Sequence, residues 1–199
     1  MSKSEETLAS IKQVSYQLFA EVGITKTTYS MIAKAVGIAK PSIYYYFKSK
    51  EDLIAAIFED LCSAIEFSTF FEVETFTKEN FEEKLIAFGT HMIDEQAKDP
   101  YYNRVLQEYM LMATRLPFYH EKLLMIQKGY LQGFEMLMEK ARKFGLVSDQ
   151  NFVAKAHVLA LVLDNIGNFM MLVEHVDYKQ IWVEAVSSVF KGSDARGSE

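Results

Sequence analysis

Apolar side chains return every three to four positions along most of this chain, and they almost never alternate. Leu8, Ile11, Val14, Leu18, Phe19 and Val22 open the series, and Gly23 closes it as a helix C-cap. A second, short helix is predicted from Thr28, whose hydroxyl can cap it, through Met31, Ile32 and Ala35 to a stop at Gly37. After a connection of only Ile38 and Ala39, Lys40-Pro41 starts a third, because proline is tolerated in a first helical turn where its missing N–H had no partner. Ile43 and Phe47 of this helix, four positions apart, face inward together. Lys40, Ser42, Tyr45, Tyr46 and Lys48 are left facing out, where they can donate to phosphates and base edges. Two short helices around a tight turn, with donors on the outer face, predict a helix-turn-helix.

The pattern continues without a strand signal. Ser49-Lys50-Glu51-Asp52 reads as a capping box that opens a helix carrying Leu53, Ile57, Phe58, Leu61 and Ile65 on one side. Phe67 to Phe76 has no clean period and is expected to be the end of that helix plus a packed loop. Thr77 is expected to cap a helix in which Phe81, Leu85, Phe88 and Met92 align, and Asp99-Pro100 to end it and start another. That next helix, from Tyr101 through Val105 and Tyr109 to Met112, is apolar around most of its circumference and should be surrounded by others. From Pro117 to Phe144 the period runs on long enough for a rod of about 40 Å, with Lys140, Arg142 and Lys143 in its last turn and Gly145 as its stop. Ser148 is expected to cap the penultimate helix. That helix is apolar on almost every side from Ala156 to Val173, and a last one after Asp177 carries Ile181, Trp182, Val186, Val189 and Phe190. Two terminal helices with more than one apolar face need a further partner, and a second copy of the chain supplies it as a two-fold four-helix interface. The fold expected is therefore all-α, with about nine helices: a helix-turn-helix domain over 1–50, a bundle over 51–191, and a disordered polar tail over 192–199.

Charge alters this picture only after it is divided. The 199 residues carry a net charge of −6, which argues against a polyanionic partner. Residues 1–50, however, hold seven Lys (3, 12, 26, 34, 40, 48, 50) against three Glu (5, 6, 21), and the excess acid lies entirely in the rest of the chain. Half of the residues are hydrophobic, enough to bury a large core. Cys62 is the sole cysteine, so no internal disulfide can form. The N-terminus is polar and no apolar run approaches the roughly 20 residues of a membrane span, so a cytoplasmic protein is expected. His91, His120, His157 and His175 lack a close ligand pair, and neither a metal nor a cofactor is expected. There is no glycine-rich phosphate loop and no nucleophile elbow, which argues against an enzyme.

The segments G-I-T-K-T-T-Y-S-M-I-A-K-A-V-G-I (23–38) and I-Y-Y-Y-F-K-S-K-E-D-L (43–53) resemble, almost position by position, the DNA-binding segment of the TetR family of bacterial one-component regulators. The resemblance covers about the first sixty residues; the remainder is similar in length and helical character only. It implies phosphate contacts from Thr27 or Thr28, Tyr44, Tyr46 and Lys50, and base-edge contacts from Lys40, Pro41, Ser42 and Tyr45. Tyr44 has a second reading, as a half-buried ring filling the motif's own core. One departure is Ala39, where the family usually places a Ser or Thr cap on the recognition helix; an alanine there weakens the helix start by about 0.5–2 kcal/mol.

In the body, Phe88, Met92, Tyr101, Tyr109, Met110, Tyr130, Phe134, Met138 and Phe169 form a Met and aromatic stripe that either lines a ligand cavity or is ordinary core. Glu108, Asp164 and Asn165 lie amid apolar neighbours, where a carboxylate must be paired, protonated or facing a cation. His157, Asp164 and Asn168 share one side of their helix, as a ligand anchor or, preferred here, as a polar stripe in a dimer interface. The resemblance implies a homodimer joined through its last two helices, acting as a repressor on a palindromic operator and released by a small organic effector. An amphipathic or cationic effector suits the acidic, aromatic interior. Two alternatives stay open: a regulator that activates or answers to a protein partner without a small-molecule pocket, and a helical enzyme or scavenger whose front domain has lost DNA binding.

Overall fold

The computed structural model describes residues 2–148 and 150–191, the expected disordered tail at 192–199 lying outside them. Among the described residues ten α-helices run in order: α1 (Lys3–Val22), α2 (Tyr29–Val36), α3 (Lys40–Tyr46), α4 (Lys50–Ala64), α5 (Phe67–Phe70), α6 (Phe81–Lys98), α7 (Tyr102–Ala113), α8 (Pro117–Lys143), α9 (Phe152–Met170) and α10 (Tyr178–Lys191), with a 3-10 turn at Val73–Thr75. There is no strand among the described residues. The tenth helix is α5: Phe67–Phe70 coils into a single turn of its own, so the stretch expected to finish the preceding helix is separate from it.

Local chemistry accounts for most boundaries. Thr28 Oγ1 accepts from the Met31 N–H at 3.3 Å, and Gly37 ends α2 in the left-handed region at φ 77°. The Ser49–Asp52 capping box closes in both directions, at 3.0 and 3.1 Å. The first helix begins at Lys3, where Ser2 and Glu5 form a capping box of their own, with the Ser2 N–H donating to Glu5 at 2.7 Å. Two expected starts need correction. Thr77 does not cap α6; its N–H donates to Asn80 Oδ1 at 2.8 Å across a turn, and the helix starts only at Phe81. Ser148 does not cap α9 either, since its hydroxyl turns to the Gln150 carbonyl and the helix follows Asn151, which holds φ at 60°.

Two compact units result. The first comprises the described residues up to Ala64 together with Pro100–Leu123, and so extends beyond the 1–50 segment read from sequence. Its core gathers Ile11, Phe19, Ile32, Ile43, Leu53 and Phe58, all buried. The reason α7 belongs here is visible in Tyr109, wholly buried, whose ring packs on Phe58 at 4.8 Å and whose hydroxyl donates to the Ile54 carbonyl at 2.9 Å. Burial pushes that phenol well above its ordinary range.

The second unit comprises Ile65–Asp99 with the described residues from Leu124 onward. In it α10 packs on α6 and α9. Trp182, fully buried, anchors the contact by sharing its indole N–H between the Leu85 and Ile86 carbonyls, at 3.3 and 3.2 Å. The indole lies where a side chain on Gly89 would be, and the Phe67 ring likewise occupies the space a Cβ on Gly133 would need. Phe71, Phe76, Phe81, Phe134, Leu137 and Met138 complete this core.

Candidate nucleic-acid interface

The helix-turn-helix consists of α2, the turn and α3, and α2 packs on α1. Ile43 is completely buried and Phe47 nearly so, which pins α3 by one face. Lys40, Pro41, Ser42, Tyr44, Tyr45 and Lys48 all remain exposed. Pro41, Ser42 and Tyr45 lie three and four positions apart, so they share one outer stripe of the short helix. Tyr45 is the most prominent of them, at 81% exposure, with its ring edge-on to Tyr46 at 5.0 Å. Tyr46 is half-buried and its hydroxyl meets Ser4 Oγ at 3.3 Å, linking α3 to the first turn of α1. As the sequence implied, no side chain caps α3 at Ala39.

Tyr44 satisfies parts of both readings. It is 50% exposed, yet its ring packs edge-on against Tyr29 at 5.0 Å. Tyr29 itself is a residue that the sequence reading passed over. Buried at the start of α2, it donates through its hydroxyl to the Phe47 carbonyl at 3.3 Å and to the Ser49 carbonyl, thereby closing the end of α3 against the start of α4. Burial, then the nearby Tyr44, Asp52 and Glu51, push its phenol up to about 12. Only the three-dimensional return of the chain at 47–49 gives this tyrosine its partners.

Of the paired option Thr27 or Thr28, the structure leaves Thr28 on the surface. Thr27 is fully buried, and its hydroxyl donates to the Gly23 carbonyl at 2.9 Å, which removes it from contact with a phosphate. Lys50 is half-buried, with its ammonium donating to the Thr25 carbonyl at 3.0 Å. The backbone of the α1–α2 turn is thus held from α4.

The residues singled out for a ligand fall in both units. Tyr101, Glu108, Tyr109 and Met110 belong to the first. There Tyr101 packs edge-on to Tyr16 at 6.5 Å and donates to Glu21 at 3.4 Å, Met110 is exposed, and Glu108 accepts from the Ile24 N–H at 2.8 Å. Phe88, Met92, Tyr130, Phe134, Met138, Asn165 and Phe169 belong to the second. Phe134 and Met138 are sealed in the core, Met92 is buried and Phe88 and Tyr130 are half-buried. Asn165 and Phe169 face outward on α9. Asp164 keeps an exposed edge but is pushed up by desolvation, and His157 pairs with Glu135 on α8 at 2.7 Å.

With Val158, Leu161 and Leu172, Phe169 forms an uncovered apolar face along α9 and its C-terminal end, and Leu172 is 85% exposed. No helix among the described residues is long and apolar enough to cross a membrane.

Residues 11–57 match the model of the bacterial regulatory proteins of the tetR family. Over 57 residues the chain is 39% identical to the HTH-type transcriptional regulator AcrR of Shigella flexneri, a match spanning 29% of this chain and 26% of that one. The chain thus matches only about a quarter of that relative's length. Likeness of fold extends much further. Salmonella enterica GusR superposes with a TM-score of 0.69 at 20% identity, over 96% of this chain and 98% of its own. SmeT, the repressor of the Stenotrophomonas maltophilia multidrug efflux pump SmeDEF, superposes with a TM-score of 0.69 at 22% identity, over 92% of this chain and 88% of its own. SmeT is also known in complex with triclosan. At such identities the two structures establish the fold alone. The relatives are transcriptional regulators rather than enzymes. Residues 11–57 are thus similar to the N-terminal segment of the tetR family of regulators, and nearly the whole chain shares the fold of the solved structures.

Proposed function

We propose that this protein is an effector-released repressor that covers a pseudo-palindromic operator as a homodimer. The observation that carries the proposal is α3: a helix pinned from behind by Ile43 and Phe47, presenting Lys40, Pro41, Ser42 and Tyr45 to solvent at one end of the chain where basic residues outnumber acids. A helix so exposed fits the major groove, with Lys40 donating to guanine acceptors and Pro41 against a thymine methyl. Thr28, Tyr44, Tyr46, Lys48 and Lys50 surround it as phosphate contacts, which set register without reading sequence.

The homodimer is supported by the uncovered α9 face of Val158, Leu161, Phe169 and Leu172, with Ile181 on α10. Apolar side chains in such a row favour burial against an equivalent row. Asn165 and Phe169 fit this interface better than a cavity, because they point out of their own unit. The effector wall narrows accordingly to Phe88, Met92, Tyr130, Phe134 and Met138 on α6 and α8, where thioethers can repack around guests of different shape.

Release follows from differential affinity: an effector that binds the body better when the two heads are badly spaced lowers operator affinity by the same factor. A coupling of about 1–3 kcal/mol changes binding roughly 5- to 150-fold. The test is a panel of apolar and cationic compounds, triclosan among them, scored first for thermal stabilisation of the protein and then for release of bound operator. An effector-released repressor gives at least one compound that does both. Operator binding that no stabilising compound weakens contradicts the proposal.

A further inference from the structure

We infer that Glu108 is a positioning residue of the reading head, holding from α7 the turn that aims α2 and α3. The inference rests on the proposed DNA binding and gives a carboxylate first read as a ligand contact a different task. Glu108 is half-buried, and its Oε2 accepts from the backbone N–H of Ile24, 84 positions away, at 2.8 Å. That amide follows directly on the end of α1. The Gly23 N–H still bonds within the helix, to the Phe19 carbonyl at 3.1 Å, and the next N–H turns to Glu108 instead. Gly23 makes this possible: at φ 88° and ψ 152° it takes a conformation that side chains disfavour, and the carboxylate oxygens lie 3.5 and 3.6 Å from where its Cβ would be.

From this point a continuous set of bonds leads to the DNA side. The Gly23 carbonyl accepts from both the N–H and the hydroxyl of Thr27, at 3.2 and 2.9 Å. The next residue, Thr28, caps α2 through Met31. Lys50 grips the same turn at the Thr25 carbonyl. The turn from Gly23 to Thr28 is therefore held from α1, α2, α4 and α7, and Glu108 provides a charged acceptor in that set. Charge-assisted bonds to backbone N–H groups are the stronger kind. Any displacement of α7 must either carry the turn with it or leave the buried Ile24 amide without its acceptor.

The test uses full-length protein and an operator selected by the wild type from random DNA. At a temperature far below the melting transition, E108A is expected to bind that operator about tenfold more weakly, within the range of coupling between sites. Its Ile24 amide should exchange faster with solvent. E108Q, whose side-chain carbonyl can accept the same bond, should bind within about threefold of wild type. Ser187→Ala, which removes a hydrogen bond to Glu82 in the second unit, should leave operator affinity unchanged. E108A binding as tightly as wild type would overturn the inference, as would E108Q binding as poorly as E108A. Should E108A not fold, E108Q and the protection of the wild-type Ile24 amide with and without operator decide: weak binding by E108Q, or no gain in protection on the operator, overturns it. A wild-type protein that selects no DNA would instead sink the functional proposal beneath it.

Discussion

Replacing Gly89 by alanine adds one methyl group where the Trp182 indole already lies. The new Cβ would lie 2.1 Å from Trp182 Nε1, 2.2 Å from Cε2 and 2.7 Å from Cζ2. Contact at an ordinary separation of about 3.5 Å requires the indole or the α6 backbone to withdraw by roughly 1.4 Å. The indole is fully buried and its N–H is shared between two carbonyls of α6, so withdrawal strains the packing and breaks the hydrogen bond together. Overpacking of this kind costs about 1–3 kcal/mol, and a buried donor left without a partner about another 1–3. Alanine offsets about 1 kcal/mol of this through its better helix propensity. A net loss of about 3 kcal/mol lowers the melting temperature by roughly 6–12 °C in a chain of this size. The assay is thermal and denaturant unfolding followed by circular dichroism, at one protein concentration because the proposed dimer would melt in a concentration-dependent way. Gly129→Ala in α8 is the control, since a Cβ there meets nothing within 4 Å and should bring only the propensity gain. Equal stability of the two variants would refute the reasoning.

Further outcomes follow from the head. Because Tyr29 is pushed from 10.0 up to about 12, its neutral form is favoured by folding; the stability it contributes is complete below pH 10 and is lost as pH rises towards 12. Tyr29→Phe should cost about 1 kcal/mol at neutral pH and flatten the alkaline loss except for the shares of Tyr109 and Tyr119, which burial also raises; an unaltered alkaline profile in unfolding titrations contradicts this. Ala39→Ser supplies the side-chain cap that α3 lacks and should raise the unfolding free energy by about 0.5–2 kcal/mol, an expectation that an unchanged value in urea would dismiss.

What the chain discloses in advance is what is settled locally. Thr28 and Met31, or Ser49 and Asp52, are three positions apart, so their caps can be read as letters, and Ile43 with Phe47 declares the buried face of α3 by spacing alone. The Ser2–Glu5 box is equally local, three positions apart. Other features depend on residues far apart. Nothing near Glu108 indicates that its partner is the Ile24 amide, and nothing near Gly89 indicates that Trp182 needs its missing side chain. Thr27 and Thr28 are chemically alike, and only the return of Thr27 to the Gly23 carbonyl buries one while leaving the other exposed. Periodicity could not divide the Met and aromatic stripe either, since core, cavity wall and dimer face share the same spacing; exposure separates Phe169 from Phe134.

The most direct test of the account is selection from a random DNA pool by the purified protein, followed by affinity measurements on the enriched sequence with Lys40→Ala, Tyr45→Ala and Lys48→Ala. An enriched pseudo-palindrome is expected. Lys40→Ala and Tyr45→Ala should relax preference at particular base pairs by about 1–3 kcal/mol, while Lys48→Ala weakens all sequences alike and reduces the salt slope by about one. A pool that shows no enrichment, or a base preference that survives both α3 substitutions intact, would contradict the claim that α3 reads DNA.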